Sequence, residues 1–181
     1  MRVEVVTPPE RAVTLEEAQS QCRVDAVEEL LLLDGMIAAA QAQIEAPGGW
    51  LGRSVGVQTL EAYLPAPALM GRCILPCRPV IEVESVEARD GGGWTLIDPA
   101  TYERRGDWLL FGASSAPTSG WAIGDPEGIR VRYRAGYEDV PAPIRQAILL
   151  LTECYYRNRG STDFSPPAAV AVLLQPFRVY S

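Results

Sequence analysis

Apolar side chains recur at helical spacing in both terminal thirds of the chain. Over residues 140–160 they cover most sides of the segment, at Ile144, Ala147, Ile148, Leu151, Cys154 and Tyr155. That spacing predicts a long helix that is buried on most of its surface, against its own chain or a partner's. Prolines in the first turn and Gly160 at the end fit its boundaries, because a first-turn proline removes an N–H group that has no helical partner.

Two further helices are predicted in the first third of the chain. Thr14 and Glu17 have the spacing of a capping box and predict a short helix over residues 15–22. Asp25 and Glu28 repeat that spacing and predict the cap of a longer helix that ends near residue 46. The longer helix carries several alanines, which would let another helix approach closely, and one apolar stripe formed by Leu30, Leu33, Ile37, Ala40 and Ile44.

The middle of the chain consists of short apolar runs separated by glycine and proline. Such runs predict strands over residues 55–64, 72–75, 81–88, 94–97, 108–111 and 129–135. Asp90 and the three glycines after it predict a hairpin turn, since neither the helix nor the lysine of a phosphate-binding loop follows them. Residues 112–125, which include Trp121, predict a long polar loop.

The last segment predicts a short apolar helix over residues 168–174, which Pro176 ends. Beyond it, Phe177, Val179 and Tyr180 either fold back to complete the core or dock on a partner, because apolar termini left in water are unusual. The whole pattern predicts an α+β protein. Its helical core comprises two N-terminal helices, a long central helix and a short C-terminal helix, and a β-rich insertion interrupts it.

Composition excludes more chemistry than it suggests. The 181 residues, 48% hydrophobic and 22% charged, fit one globular domain, and no apolar run approaches the ~20 residues that cross a bilayer. The N-terminus has no apolar signal core, which predicts an intracellular product. The chain contains no histidine and no lysine, which excludes imidazole nucleophile pairs, imidazole metal ligands and Schiff bases. Carboxylate chemistry, as in an acidic-residue hydrolase, is still open to the chain, but it needs a site and the sequence shows none. We therefore expect no enzyme, no metal and no cofactor.

The four cysteines lack the spacing of a ligand set. Three residues separate Cys73 from Cys77, one more than in redox and zinc motifs, and Cys22 and Cys154 stand alone. We interpret all four as small apolar side chains in a reducing compartment.

Charge is unevenly distributed along the chain, whose net charge is −7. Residues 1–46 carry nine acids and three arginines, residues 47–140 carry twelve acids and nine arginines, and residues 141–181 carry two acids and four arginines. An acidic first segment and a mildly basic last segment favour charge-complementary packing, either within one subunit or between neighbours.

Three arginines share one predicted strand face. Arg130, Arg132 and Arg134 alternate with apolar residues, so their guanidinium groups lie on the same side. Such a face would either hold a nucleic-acid backbone or pair with Glu82 and Glu84, which alternate in the same way. The negative net charge favours pairing.

Seven blocks of sequence follow one another along nearly the whole chain. They are Thr14-Leu15-Glu16-Glu17-Ala18 followed by Cys22-Arg23-Val24-Asp25; the alanine-rich helix ending at Ile44-Glu45; Leu51-Gly52-Arg53 leading to Gln58-Thr59; Leu75-Pro76-Cys77-Arg78-Pro79-Val80; Val131-Arg132-Tyr133-Arg134-Ala135-Gly136-Tyr137; Val140-Pro141-Ala142-Pro143-Ile144-Arg145-Gln146-Ala147-Ile148; and Leu173-Leu174-Gln175-Pro176-Phe177-Arg178-Val179-Tyr180. In these blocks and their order the chain resembles the head–tail connector (adaptor) family of long-tailed bacteriophages, prophages and gene transfer agents.

The resemblance implies a structural protein without catalysis. It implies one adaptor domain over residues 1–181, with a helical core (14–50 and 140–175), a β-rich insertion (54–137) and a C-terminal tail (175–181). Similar proteins form a ring, usually dodecameric, beneath the portal protein. The ring extends a channel through which DNA passes without specific binding, and it joins the packaged head to the next neck (stopper) or tail protein. The expected location is the head–tail junction of a virion or virus-like particle, assembled in the bacterial cytoplasm without a membrane.

Residues can be assigned to these roles as expectations. The candidates for the portal contact come from the tail and the helix before it, and they are Leu173, Leu174, Pro176, Phe177, Arg178, Val179 and Tyr180. We expect the protein to remain folded when the tail is removed. Ring-assembly or core-helix candidates are Ile144, Ile148, Leu151, Tyr155, Leu33 and Ile37. Three acids, Glu28, Glu29 and Asp34, either face solvent or line the channel of the ring. The alternative function is a small β-rich nucleic-acid-binding module that uses the arginine strand face.

Overall fold

A computed structural model describes residues 1–66, 71–90, 93–112, 124–159 and 165–179. Over these residues the protein is α+β, with four α-helices and eight strands in two antiparallel sheets. The chain divides into two compact units. The sheet unit comprises Met1–Pro9 and Val57–Gly136, and the helical unit comprises Glu10–Gly56 and Tyr137–Ser181.

The helices begin and end close to the predicted positions. They are α1 (Leu15–Cys22), α2 (Leu30–Ile44), α3 (Ala142–Arg157) and α4 (Ala168–Leu174). The predicted capping box of α1 is confirmed, because the Glu17 N–H donates to the Thr14 hydroxyl at 3.2 Å and the Thr14 N–H donates to the Glu17 carboxylate at 2.8 Å. The backbone bond from Thr14 holds the pKa of Glu17 below its usual value.

The second predicted cap is wrong. Arg23 ends α1 in the left-handed conformation, with φ of 56°. A 3₁₀ turn, Val27–Glu29, then leads into α2, and neither the turn nor the helix receives a side-chain cap. The start of the turn falls on Ala26, one residue after Asp25, so the Asp25 carboxylate is out of register with the free N–H groups.

The helical unit has its own apolar core. α3 packs against α1, α2 and α4. Ile144, Ile148 and Leu151 of α3 meet Leu33 and Ile37 of α2, and each of these side chains is at most 1% exposed. Full burial of one such side chain is worth about 1.5–3 kcal/mol, so this cluster is a main source of the unit's stability.

Five strands form the larger sheet in the order β1-β2-β8-β4-β5, all pairs antiparallel. Their bounds are Arg2–Thr7 for β1, Gln58–Leu64 for β2, Val80–Asp90 for β4, Gly93–Leu96 for β5 and Ile129–Ala135 for β8. The central strand β8 alternates as predicted, with its apolar residues and Tyr133 buried and its arginines on the other face. Asp90 pairs with Gly93, which fits the predicted hairpin, although residues 91–92 lie outside the described residues.

Three strands form the smaller sheet in the order β3-β7-β6, with β3 at Arg72–Ile74, β6 at Tyr102–Arg105 and β7 at Trp108–Phe111. Two strands, β1 and β6, were not predicted. β1 is exposed at five of its six positions and β6 at three of four, so neither shows the alternation of a half-buried strand. Most of the predicted loop at 112–125, with Trp121, lies outside the described residues.

Candidate assembly surfaces

The C-terminal tail is tied to its own helical unit through the Leu51-Gly52-Arg53 block. The Val179 N–H donates to the Leu51 carbonyl at 2.9 Å, and Arg53 Nε donates to the Phe177 carbonyl at 2.8 Å. Gly52 has a φ of +67°, and a Cβ there would lie 2.8 Å from the Val179 carbonyl oxygen. The block therefore needs glycine at this position, both for its backbone conformation and for the close approach of the tail. For residues 177–179 the structure supports the fold-back alternative.

The portal-contact candidates differ in how much surface they offer. Leu174 is fully buried, and Leu173 and Phe177 are half-buried against the helical core. Val179 is half-buried, whereas Pro176 and Arg178 are exposed. Tyr180 lies outside the described residues. Pro176 and Arg178 are thus the candidates that present most of their side chain to a partner.

Beside the tail, a largely apolar groove opens on the helical unit, which we call the Trp50 groove. Its volume is about 390 Å³, and its lining includes Gln43, Trp50, Leu151, Pro167, Val170 and Arg178. The Arg178 guanidinium lies 4.8 Å from the Trp50 ring centroid, a cation–π distance. The Tyr155 hydroxyl donates to the Gln43 side-chain oxygen at 2.5 Å and fixes the polar end of the lining.

A second apolar surface lies on α2, on the side facing away from the helical core. We call it the outer α2 face, and it is formed by Val27, Leu31, Leu32, Gly35, Ala38 and Ala42, all exposed. Leu31 is 86% exposed and Val27 76%. At 100° per residue these positions lie roughly opposite the buried stripe that begins at Leu33. α2 is therefore apolar on two opposite sides, of which one meets the core of the described chain.

The ring-assembly candidates lie inside the protomer. Ile144, Ile148, Leu151, Leu33 and Ile37 form the core of the helical unit, and Tyr155 is half-buried beside it. They meet one another, as a core-helix role requires, but they offer almost no surface to a second copy. A contact between copies has to use other residues.

The three candidate channel acids are in different environments. Glu29 accepts a hydrogen bond from the Tyr156 hydroxyl and forms an ion pair with Arg159 at 3.0 Å. Both partners lower the pKa of Glu29, and the Tyr156 bond has the larger effect. Asp34 pairs with Arg11 at 3.1 Å. Glu28 is exposed and forms no ion pair with another described residue.

The arginine strand face is paired with carboxylates. The distances are 2.6 Å from Arg130 Nε to Glu87, 2.7 Å from Arg132 to Glu61 and 2.6 Å from Arg134 to Glu82. The sequence predicted that this face pairs with Glu82 and Glu84. Glu82 is confirmed as the partner of Arg134, whereas Arg132 pairs with Glu61 and Arg130 with Glu87, and neither pairs with Glu84. The face is thus charge-balanced, which removes the uncompensated positive surface that a nucleic-acid backbone requires.

Within the described residues, the chemistry of a metal or thiol site is also missing. No group of three or more Cys, Asp or Glu side chains there is placed to hold a metal ion. None of the four cysteines forms a disulfide bond with another described residue. Burial raises the pKa of Cys73 to about 11, which opposes thiolate formation. None of the described helices has the length and apolar character needed to span a bilayer.

Sequence reasoning missed a buried carboxylate in the helical unit. Glu45 is 5% exposed and accepts hydrogen bonds from the Val55 N–H at 2.6 Å, the Gly56 N–H at 3.1 Å and Gln41 Nε2 at 3.0 Å. Burial raises the pKa of Glu45, against the opposing effect of these donors. The site fixes the backbone just before the chain enters the sheet unit. In the sequence Glu45 is one of nine acids in the first 46 residues, and nothing distinguishes it from the others.

Comparison with solved structures gives whole-chain matches, although no protein-family model and no curated protein sequence matches the chain. A chain in the virion of a native gene transfer agent particle is 21% identical with a TM-score of 0.78. A chain in the neck of an empty gene transfer agent particle, computed with C6 symmetry, is 21% identical with a TM-score of 0.75. A chain in the neck of a native particle, computed with C12 symmetry, is 20% identical with a TM-score of 0.73. Each match covers 100% of this chain and 97% of the other. The chain therefore shares their fold.

Proposed function

We propose that this protein is a structural head–tail adaptor that assembles as a ring beneath the portal of a phage-like particle. The observation that carries the proposal is the match of the whole chain to chains of particle necks computed with C6 and C12 symmetry. The helical unit acts as the assembly core. The sheet unit is inserted between α2 and α3, except for β1, which precedes α1 and joins the larger sheet. On this proposal the protein works by fitting into an assembly, and it catalyses no reaction.

In this role the ring extends the DNA channel and joins the packaged head to the next neck or tail protein. A dodecamer is the proposed state, and the subunits assemble in the bacterial cytoplasm. The net charge of −7 suits a channel wall, because a negative wall repels DNA phosphates and lets the polyanion pass without adhering. Glu29 and Asp34 are already paired within the chain, which weakens their part in such a wall.

The proposed portal contact is made by the exposed residues of the C-terminal segment. Pro176 lies in the 3₁₀ turn Gln175–Phe177, and that turn is held in place because Arg53 binds the Phe177 carbonyl. A fixed, exposed turn loses little conformational entropy when it docks, which favours its use as a contact. Leu174, the residue directly before this turn, is fully buried in the core of the helical unit and anchors the start of the turn.

The nucleic-acid-binding alternative has less support. Each arginine of the strand face has a carboxylate partner, and Glu61 is only 10% exposed. DNA phosphates would have to displace these carboxylates and leave the buried one unpaired, at a cost in free energy.

The test is complementation of a strain from which the gene has been deleted. We expect deletion to leave DNA-filled heads without tails, and the wild-type gene to restore tailed particles. Pro176→Glu should fail to restore them, because it places a charge in the portal contact. Its matched control is Pro99→Glu, since Pro99 is likewise exposed in a 3₁₀ turn, Pro99–Thr101, of the sheet unit. Tailed particles in the deletion strain would refute the proposed function, whereas full rescue by Pro176→Glu would refute only the portal contact.

A further inference from the structure

Among the described residues of the helical unit, an exposed apolar helix face and a largely apolar groove remain outside its core. The outer α2 face is a ridge, with Leu31 as its most exposed side chain at 86%. The Trp50 groove is a concavity of about 390 Å³, lined mainly by Trp50, by Leu151 of α3 and by apolar residues in α4 and just before it. We propose that the outer α2 face of one copy seats in the Trp50 groove of the next copy, an inference that rests on the proposed ring.

The exposure of the ridge is the first argument. Val27, Leu31 and Leu32 are all exposed on one short segment, while the same helix already buries a complete stripe from Leu33 to Ile44. A helix that is apolar on most sides is normally covered on most sides. Were this ridge to line a water-filled channel, its leucines would stay hydrated and would gain nothing from assembly.

Charge at the two surfaces is the second argument. Glu28 precedes Leu31 by three residues, so its carboxylate lies at the same edge of the ridge. It is exposed and forms no ion pair with another described residue. Arg178 lies at the rim of the groove with its guanidinium over the Trp50 ring. When the ridge seats in the groove, Glu28 meets a guanidinium, which matches the acidic first segment and the basic last segment of the sequence.

The two surfaces lie on different parts of the helical unit, so one copy can use both at once with two neighbours. The similarity to chains of symmetric necks then favours a second copy of this chain as the occupant. Leu31 on the ridge and Gln43 in the groove lie twelve residues apart on α2, which places them about 18 Å apart along the axis and about 120° apart around it. Two different patches that fit each other make a heterologous contact, and such a contact closes into a ring when its rotation closes. Matched chains in necks computed with C6 and C12 symmetry agree with that kind of contact.

The assignment changes two earlier expectations. It moves Glu28 from the channel wall to the boundary between subunits. It also assigns Arg178 to the contact with the neighbouring copy, which leaves Pro176 as the exposed candidate for the portal contact.

Photo-crosslinking in assembled particles tests the inference. The protein is produced with p-benzoylphenylalanine at position 31, or reciprocally at position 171 in the groove, and purified particles are irradiated. We expect covalent dimers in which position 31 is joined to a peptide containing Trp50 or Val170 of another copy, with 171 joined to the peptide containing Leu31. Dimers absent from both samples, or crosslinks that map to another protein or another surface, would overturn the inference while leaving the proposed function intact. Particles that lack this chain would overturn both.

Two variant sets give an independent readout, which is the amount of this chain incorporated per particle. Leu31→Asp should lower incorporation by about tenfold or more, because it places a charge in the groove. Leu96→Asp is its control, since Leu96 is a 62% exposed leucine of the sheet unit. Glu28→Arg and Arg178→Glu should each reduce incorporation, and combining them should restore most of it. Equal incorporation of the two leucine variants, or no recovery in the double variant, would contradict the proposed contact.

Discussion

Replacement of Glu45 is the most direct test of how the helical unit is held together. Glu45→Ala removes the acceptor of three donors, namely the Val55 and Gly56 N–H groups and the Gln41 side-chain amide. A hydrogen bond to a charged group is worth about 1.5–3 kcal/mol, and a buried donor left without an acceptor costs about 1–3 kcal/mol. Relief of the buried charge offsets part of this loss. We therefore expect Glu45→Ala to lower the free energy of unfolding by roughly 3–5 kcal/mol.

Glu45→Gln should lower the free energy of unfolding less than Glu45→Ala does, because the amide keeps one acceptor oxygen and carries no charge. The pH dependence has a definite sign. Burial raises the folded-state pKa of Glu45 above the usual value of a glutamate, so the folded state binds the proton more tightly. The resulting stabilisation is present below the unfolded pKa and is lost as pH rises through the folded pKa. The advantage of wild type over Glu45→Gln should therefore shrink as pH rises from about 4 towards 7.

Chemical denaturation with circular dichroism, repeated across this pH range, measures both effects. Glu138→Gln is the control, because Glu138 is exposed and should change stability by less than about 0.5 kcal/mol. If Glu45→Ala were as mild as that control, the carboxylate would not organise the backbone at Val55 and Gly56. A stability advantage that grows with pH would show that the donors outweigh burial and that the folded pKa is lowered.

Two further predictions concern the tail and the arginine strand face. Deletion of residues 175–181 should destabilise the protein by about 2–4 kcal/mol in thermal unfolding, because it removes the Phe177 contact with the core, the Val179 N–H bond to the Leu51 carbonyl and the Phe177 carbonyl that Arg53 Nε binds. An unchanged Tm would contradict this prediction. Arg132→Ser should lower the free energy of unfolding by about 1–3 kcal/mol, because it leaves the 10% exposed Glu61 without its guanidinium partner. DNA binding in a mobility-shift assay should not decrease in this variant. The control is the exposed Arg134–Glu82 pair, since Arg134→Ser should lower the free energy of unfolding by less than about 1 kcal/mol.

The helices were predictable because their signals are local. Thr14 and Glu17 satisfy each other within four residues, and the α3 stripe repeats over four turns, so no distant partner is needed to recognise either. The bounds of α1 and α4 agree with those expected. Strand β8 was predictable for the same reason, since its alternation is complete over seven residues.

Features that depend on distant partners were not predictable. β1 becomes a strand only because residues 58–64 of β2 provide its ladder, and its own side chains are largely exposed. Glu45 and Arg53 have roles set by Val55, Gly56 and Phe177, whose positions follow from the assembled fold. The Leu51-Gly52-Arg53 block and the terminal block were each recognised in the sequence, but only the structure shows that one receives the other.

Net charge gives a physical reason why assembly would rest on apolar contacts of the helical unit. Each copy carries −7, so neighbouring copies repel one another at long range, and a single Glu28–Arg178 attraction cannot reverse that repulsion. Added salt screens the repulsion while leaving the burial of Leu31 in the groove unaffected, so association of copies should strengthen as salt rises. DNA binding through arginines has the opposite dependence, because each phosphate contact releases counterions and weakens with salt. The sign of the salt effect thus separates a molecule that functions by self-association from one that functions by holding nucleic acid.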